Sequence, residues 1–368
     1  PGNAGISEIA ECIDLKVEKI LILDFCKKKE IDLIVIGPEK HLEEGLSDYL
    51  SQKGFLVFGP SKKASKLESS KVYSKKFLKK YKIPTARFKE FSNFLKAKKY
   101  LDQQTFPIVL KADGLASGKG VIICENLNEA LVSLESIMVK KKFGEAGNKV
   151  VIEEFLKGFE MSYFVFFDKN SYSKLNYALD HKKAYDFDKG PNTGGMGAFT
   201  PSKKVNKELE KKILESVIKK TFYGLKEEKI IYRGILFVGL MITSSGPQVI
   251  EYNVRFGDPE CQVLMRVLKS DILEIFEAVV KDKLKKVKIK NSKNYSICIV
   301  IASKGYPGSF AIDKEISNLN KVQKIKGIKI FHAGTKFLNE KIVSSGGRVL
   351  SITSESENLE NAKKIAYN

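Results

Sequence analysis

The chain has 368 residues, a net charge of +20 from 64 basic and 44 acidic side chains, and a 43% hydrophobic share. That length suggests two or three domains, the apolar share excludes a disordered class, and no apolar run is long enough to cross a bilayer. Five scattered cysteines (Cys12, Cys26, Cys124, Cys261 and Cys298) form no CxxC and sit at no ligand spacing from His41, His181 or His332. This argues against a zinc site and fits reduced thiols in a cytoplasmic protein.

In chain order, residues 7–30 carry helical spacing. DLIVIG at 32–37 and FLVFG at 55–59 read as buried strands, half of an open α/β sheet with ligands beyond the strand ends. A Lys/Ser-rich stretch at 61–71 reads as a link, and a helix from about 72 stops at Tyr81, before Pro84. Strands follow at 107–112 and 120–124, a helix from about 127, and strands at 150–155 and 161–168. Residues 180–201, DHKKAYDFDKGPNTGGMGAFTP, lack hydrophobic periodicity and read as a long ordered loop. An amphipathic helix covers 206–225, strands at 234–243 and 248–255 flank the SSGP turn, and 260–283 read as helical, with Asp258 and Glu260 placed to cap that helix. After a Lys-rich linker at 285–293 the chain is strand-rich and closes on a helix. The expected domains are 1–60, 61–290 and 291–368.

Four stretches bear chemistry. In 180–201, Gly190, Gly194, Gly195 and Gly197 permit close backbone approach to a ligand, and Asn192 and Thr193 can hold anionic or hydroxylated groups. A flexible surface loop is the alternative. KADGLASGKG at 111–120 is either a flap whose N–H groups cover phosphates or a surface hairpin with a snorkelling Lys111. It is no P-loop, because a strand follows it. VVIEEFLKGFE at 150–160 offers an extended edge that suits adenine, or is an ordinary strand with wet carboxylates. In VIEYNVR at 249–255, alternation puts Glu251, Asn253 and Arg255 on one face. Those oxygens suit Mg²⁺, or the strand is an amphipathic edge. The lysines lie in KK and KKK pieces apart from the aromatics, which reads as a solvated surface and not as a nucleic-acid stacking face. Arginine occurs only at Arg87, Arg233, Arg255, Arg266 and Arg348, and Arg255 alone sits inside one of these motifs.

These motifs, with PGNAG at 1–5, DLIVIGPE at 32–39, KIPTA at 82–86, FGDPECQ at 256–262, KGYPG at 304–308, HAGTK at 332–336 and SGGRVL at 345–350, follow one family's order. The chain resembles phosphoribosylamine–glycine ligase (glycinamide ribonucleotide synthetase) of the ATP-grasp superfamily. The resemblance implies a partial Rossmann-like N-terminal domain, an ATP-grasp core and a small strand-rich C-terminal domain. It also implies a missing first strand–loop–helix unit and a shortened tail. The reaction implied joins glycine to 5-phosphoribosylamine, giving glycinamide ribonucleotide, ADP and phosphate through glycyl phosphate. No nucleic acid, membrane or obligate protein partner is implied. For ATP, the matching positions are Lys71, Lys75, Lys111, Gly114, Gly118, Lys119, Gly120, Glu153, Phe155, Leu156 and Glu160. Lys71 and Lys111 fall on phosphates, Glu153 with the Phe155–Leu156 backbone on adenine, and Glu160 on ribose. For the substrates they are Gly2, Asn3, Pro38, Glu39, Asp186, Asp188, Asn192, Thr193, Gly194 and Arg255, and for Mg²⁺ or Mn²⁺, Glu251 and Asn253. Arg255, Lys111 and Asp188 carry the catalytic roles. Phe159 departs from a usually acidic family position. Other ATP-grasp carboxylases or ligases share the nucleotide motifs, and the DHK…GPNTGGMGA stretch separates this chain from them. A non-catalytic nucleotide- or RNA-binding protein is disfavoured by the intact Lys111, Glu251 and Asn253.

Overall fold

Two short parallel strands, β1 (Leu33–Val35) and β2 (Leu56–Phe58), pair Leu33 with Leu56 and form the N-terminal sheet in a computed structural model that describes residues 2–116, 120–187 and 189–368. The expected helix over 7–30 is shorter, running Lys19–Lys28, with a single turn at Ala4–Ser7. Residues 8–18 bury no side chain, and an isolated helix without a packed face is marginal. The expected link at 61–71 is instead a helix, Lys62–Ser69. Ser61 accepts the Ala64 N–H at its start, and Ala64 and Leu67 are fully buried.

A second unit is a four-stranded sheet ordered β3, β6, β4, β5, from β3 (Phe88–Phe91), β4 (Ile108–Ala112), β5 (Val121–Cys124) and β6 (Val150–Glu154). Helices Phe94–Leu101 and Leu127–Met138 cover one face, where Leu101, Leu110, Leu134 and Ile137 are fully buried.

The largest sheet has eight antiparallel strands. They are β7 (Phe159–Phe167), β8 (Tyr172–Tyr185), β9 (Lys189–Thr200), β10 (Gly234–Thr243), β11 (Gly246–Asn253), β12 (Tyr295–Ala302), β13 (Ile328–His332) and β16 (Arg348–Ser356), ordered β11-β10-β7-β8-β9-β12-β16-β13. A side hairpin joins β14 (Thr335–Leu338) to β15 (Lys341–Ser344). Strand alternation sends Tyr163, Val165 and Phe167 to one core and Phe164 and Phe166 to another. The first core packs against the helical run 207–227, which contains one π turn at Leu214–Ile218. The second packs against two helices, Glu260–Val267 and Ile272–Val280, where the sequence pattern had suggested one. Asp271 breaks that run by capping the Leu273 N–H at 2.7 Å.

The expected long loop at 180–201 is also corrected: it is the β8–β9 hairpin. Register shifts at His181/Lys183 and Lys183/Tyr185 break its ladder. A strand rich in glycine has few side chains to alternate, so a periodicity test does not detect it. On its other edge β9 pairs with β12, Gly197 opposite Ile299, so this hairpin joins the central and C-terminal strands into one sheet. Among the described residues no helix is long and apolar enough to cross a membrane.

Gly197 has no room for a side chain, since a Cβ there would lie 2.6 Å from the Cys298 carbonyl oxygen. Gly197→Ala should therefore cost about 1–3 kcal/mol through forced backbone displacement at this seam. Thermal denaturation checks it, and an unchanged midpoint would show that the seam is not tightly packed.

Candidate functional site

Side chains from three elements meet on one face of the inner strands of the four-stranded sheet. Lys111 on β4 and Glu153 on β6 share a face, because Lys111 pairs with Val151 and Val109 with Glu153. Lys75 reaches them from the helix Lys71–Lys80. Glu153 Oε2 lies 3.0 Å from Lys75 Nζ and 3.1 Å from Lys111 Nζ. Lys75 also donates to Thr85 Oγ1 at 2.6 Å, and Lys111 to the Ile250 carbonyl at 3.0 Å. All three side chains are 3–4% exposed. Burial pushes the Lys75 ammonium down to about 8; Glu153 opposes that fall and Lys111 adds to it. The Glu153 carboxylate is thus taken up by two lysines. Burial turns this side chain into the protein, on the same face as Lys111. Its second oxygen, Oε1, is buried with no hydrogen-bond partner.

On β11, alternation sets Glu251 and Asn253 side by side, with the Asn253 amide 3.5 Å from Glu251 Oε1. Lys71 Nζ lies 3.2 Å from Glu251 Oε2. Burial acts to raise the Glu251 pKa, but Lys71, Lys182 and Lys111 override it and hold the carboxyl well below the usual range. Lys182 on β8 pairs with Glu160 at 2.9 Å and Asp180 at 3.6 Å. Burial works against its charge, and Asp180, Glu160 and Glu251 together raise its pKa above the ordinary lysine value. A small cavity is lined by Glu160, Ser162, Asp180, Lys182 and Glu251. No group of three or more His, Cys, Asp or Glu fit for a metal occurs among the described residues. Glu251 and Asn253 fit a divalent ion that takes its remaining ligands from phosphates and water. Turning the Asn253 amide over presents its oxygen to such an ion.

Arg255 connects this edge to the N-terminal unit. Its Nε donates to Glu39 Oε2 at 2.8 Å, and its Nη2 lies 3.1 Å from Glu68 Oε1. Glu68, which also accepts the Val254 N–H at 2.7 Å, is pushed up to about 6 by burial, against the pull of Arg255. At the base of the flap, Asp113 Oδ1 accepts from Ser70 Oγ at 2.9 Å and from the Val72 N–H at 3.0 Å, fixing the flap to the helix that carries Lys71 and Lys75. Gly114 is close-packed on Ala146, and a Cβ on Gly120 would press on Ala116. Gly118, Lys119 and Asp188 lie outside the described residues. Phe155 and Leu156 are half-buried beyond the end of β6.

Other expected residues fall elsewhere. Asn3 makes contacts within the fold: its Oδ1 caps Ile6 and its Nδ2 donates to the His332 carbonyl at 2.8 Å. Gly2 adopts φ +83° against Cys12, and Pro38 starts the helix Glu39–Glu43. Thr193 is likewise occupied within the hairpin, donating to the Lys182 carbonyl at 2.8 Å and accepting the Gly195 N–H at 3.0 Å. Asn192 and Asp186 are exposed. Asp258 and Glu260 do not cap the helix at Glu260–Val267, because Pro259 holds the cap position. Asp258 pairs with Arg348 at 2.9 Å, and Glu260 accepts from Ser162 at 3.2 Å. Burial and then Asp180 push Glu260 up to about 7. Sequence reasoning missed Lys182, Asp180 and Glu68. The D and K of the DHK run were the available signal for the first two, and Glu68 has none.

Three comparisons bear on this geometry. Family descriptions of phosphoribosylglycinamide synthetase match the whole arrangement: its N domain over residues 1–68, its ATP-grasp (A) domain over 69–261 and its C domain over 296–368. Phosphoribosylamine–glycine ligase of Caldanaerobacter subterraneus is 44% identical over all of this chain and 88% of its own length. The crystal structure of the Thermotoga maritima ligase superposes with a TM-score of 0.85 at 33% identity, covering 100% of this chain and 88% of the other. The biotin carboxylase domain of Hydrogenobacter thermophilus 2-oxoglutarate carboxylase, solved with MgADP, shares the fold at a TM-score of 0.73 and 18% identity, over 98% of this chain and 80% of that one.

Two outcomes follow from the buried charges. Glu153→Gln leaves two ammonium groups without their shared counter-charge and should cost about 3–5 kcal/mol, as for other broken buried pairs. Chemical denaturation near neutral pH measures this, and an unshifted midpoint contradicts it. Lys75 releases its proton near pH 8 in the native state and near the ordinary lysine value when unfolded. Between those values the unfolded chain binds more protons, so stability rises with pH. The stability of the wild type relative to Lys75→Met should climb from pH 8 to about pH 10. A flat difference would mean that Lys75 is not destabilised by burial.

Proposed function

The chain belongs to the phosphoribosylamine–glycine ligase family, ATP-dependent ligases of purine biosynthesis, and we propose that its reaction runs through glycyl phosphate on the face built by Lys71, Lys111, Lys182, Glu251 and Arg255. A carboxylate oxygen of glycine attacks the terminal phosphorus of ATP. The bond from that phosphorus to the bridging oxygen breaks, and ADP leaves. The amine of 5-phosphoribosylamine then attacks the acyl carbon, the carbon–oxygen bond to phosphate breaks, the nitrogen loses a proton, and the products are glycinamide ribonucleotide and phosphate.

Little covalent work falls to the protein in such a transfer, and the task is positioning and charge neutralisation. Lys71 and Lys111 are assigned to neutralising phosphate oxygens, a role supported by Glu153, which holds Lys111 and Lys75 in place. Glu251 and Asn253 are the residues to hold Mg²⁺ or Mn²⁺, which supplies charge stabilisation to the phosphates when bound. Arg255, anchored by Glu39 and Glu68, is assigned to the transferred group or the substrate carboxylate. The flap from Gly114 to Gly120 excludes water from the acyl phosphate. Asp186, Asp188, Asn192 and Gly194 serve the acceptor side.

One observation carries this reading. The Thr193 hydroxyl bonds the carbonyl of Lys182, whose ammonium meets Glu160 in the cavity that Glu251 also lines. The hairpin that distinguishes this family from other ATP-grasp enzymes is therefore tied to the nucleotide edge. The proposed domain limits are 1–60, 61–290 and 291–368, supported by the order of the three matched segments. A cytoplasmic location and the absence of a nucleic-acid partner are proposed on the scattered cysteines and dispersed lysines.

Phosphate release from ATP should require glycine and phosphoribosylamine together, and release independent of either contradicts the reading. Asn192→Ala should raise the KM for glycine or phosphoribosylamine at least roughly tenfold while ATP affinity changes less than about twofold. Lost ATP affinity with unaltered substrate KM would move the hairpin off the acceptor side. Glu251→Gln should raise the Mg²⁺ needed for half-maximal rate by roughly tenfold or more. An unaltered metal requirement removes Glu251 as a ligand.

A further inference from the structure

Arg348 lies on the C-terminal strand β16, far in sequence from every motif of the nucleotide face. In a chain whose cations are nearly all lysine, its guanidinium makes a set of contacts that lysine cannot reproduce. Its Nη1 donates to the carbonyls of Gly194 at 2.9 Å, Asp258 at 2.7 Å and Gly195 at 3.4 Å. Its Nη2 donates to Asp258 Oδ2 at 2.9 Å. A second C-terminal residue joins it: Tyr306 OH accepts the Gly194 N–H at 2.9 Å. A Cβ on Gly194 would lie 2.9 Å from the Arg348 guanidinium carbon, and one on Gly195 would lie 2.5 Å from Pro259 Cδ. The two glycines therefore permit the guanidinium and the Asp258–Pro259 turn to close onto the hairpin backbone.

We propose that Arg348 and Tyr306 are positioning residues for the acceptor side, a clamp by which the C-terminal domain fixes the Gly194–Gly195 backbone against the turn that follows Arg255. The two clamped segments matter for different reasons. Gly194 and Gly195 follow Asn192 and Thr193 on β9, and Asp258 lies three residues beyond Arg255. One planar cation holds both, so the distance between the acceptor hairpin and Arg255 is set by the C-terminal domain. Neither residue touches the lysine–glutamate cluster that serves the nucleotide, so the clamp acts on acceptor geometry and leaves ATP binding alone. The inference rests on the hairpin being the acceptor side, as proposed above.

The test compares Arg348→Lys, Tyr306→Phe and Asn192→Ala in the full chain. Readouts are the KM for glycine, the KM for phosphoribosylamine generated in place from ribose 5-phosphate and ammonia, ATP affinity by titration, and thermal midpoint. Arg348→Lys should raise the substrate KM values roughly tenfold, since small displacements of positioning groups carry large rate costs. ATP affinity should stay within about twofold. Tyr306→Phe, which removes one acceptor and no charge, should shift the same parameters in the same direction by less. If Asn192→Ala raises substrate KM and Arg348→Lys does not, the clamp is overturned while the acceptor reading stands. If Asn192→Ala leaves substrate KM unchanged, the acceptor reading itself fails, and the clamp with it. A fall in ATP affinity equal to the substrate effect, or a midpoint loss with unchanged KM values in both clamp variants, reduces Arg348 to a structural contact.

Discussion

The carboxylate of Glu153, shared by Lys75 and Lys111, is the interaction on which the nucleotide face depends. At about 3 Å, each pair is worth ~5 kcal/mol at an effective dielectric of ~20, and each buried ion carries a desolvation cost of several kcal/mol. The attraction and the cost are of similar size, so the cluster contributes little net stability. Within it two cations meet one anion, and nearby Glu251 is flanked by Lys71 and Lys182, the second of which also pairs with Glu160 and Asp180. These charges are held in fixed pairs, and a site arranged before a ligand arrives reorganises little during a reaction.

The second constraint is the continuity of the eight-stranded sheet. Gly197 lets β9 approach β12 closely, and β9 carries the hairpin residues on the way to that seam. Through Arg348 on β16 and Tyr306 in the turn beyond β12, the C-terminal part reaches back to the same hairpin. From the other side, Glu39 of the N-terminal unit anchors Arg255. The hairpin and Arg255 are thus held by contacts from all three parts of the chain, while the buried cluster of Lys75, Lys111 and Glu153 draws only on the central one.

How much of this was legible in the sequence depended on range. Strands with apolar runs, such as GILFVGLM and VIEYNVR, were readable because burial on both faces or strict alternation leaves a pattern. The shared face of Glu251 and Asn253 follows from period two alone. The β8–β9 hairpin was not readable as strand, because glycine has no side chain to alternate and its partner strand lies about a hundred residues away. The fold contacts of Asn3, Thr193 and Asp258 were not readable for a related reason. Each is a small polar residue in a family motif, and each spends its hydrogen bonds on the fold, with partners 329, 11 and 90 residues distant. Burial of Glu153 between two lysines needed the pairing register of β4 and β6, which no local pattern supplies.

The central claim is that this charged face passes a phosphoryl group to glycine before the amine attacks. Glycine carrying heavy oxygen in both carboxylate positions, turned over with ATP and phosphoribosylamine, tests it directly. One labelled oxygen should appear in the released phosphate, and the other should remain in the amide of the product. Phosphate free of label, with the lost oxygen recovered in water, would contradict an acyl phosphate and with it the assignment of this face.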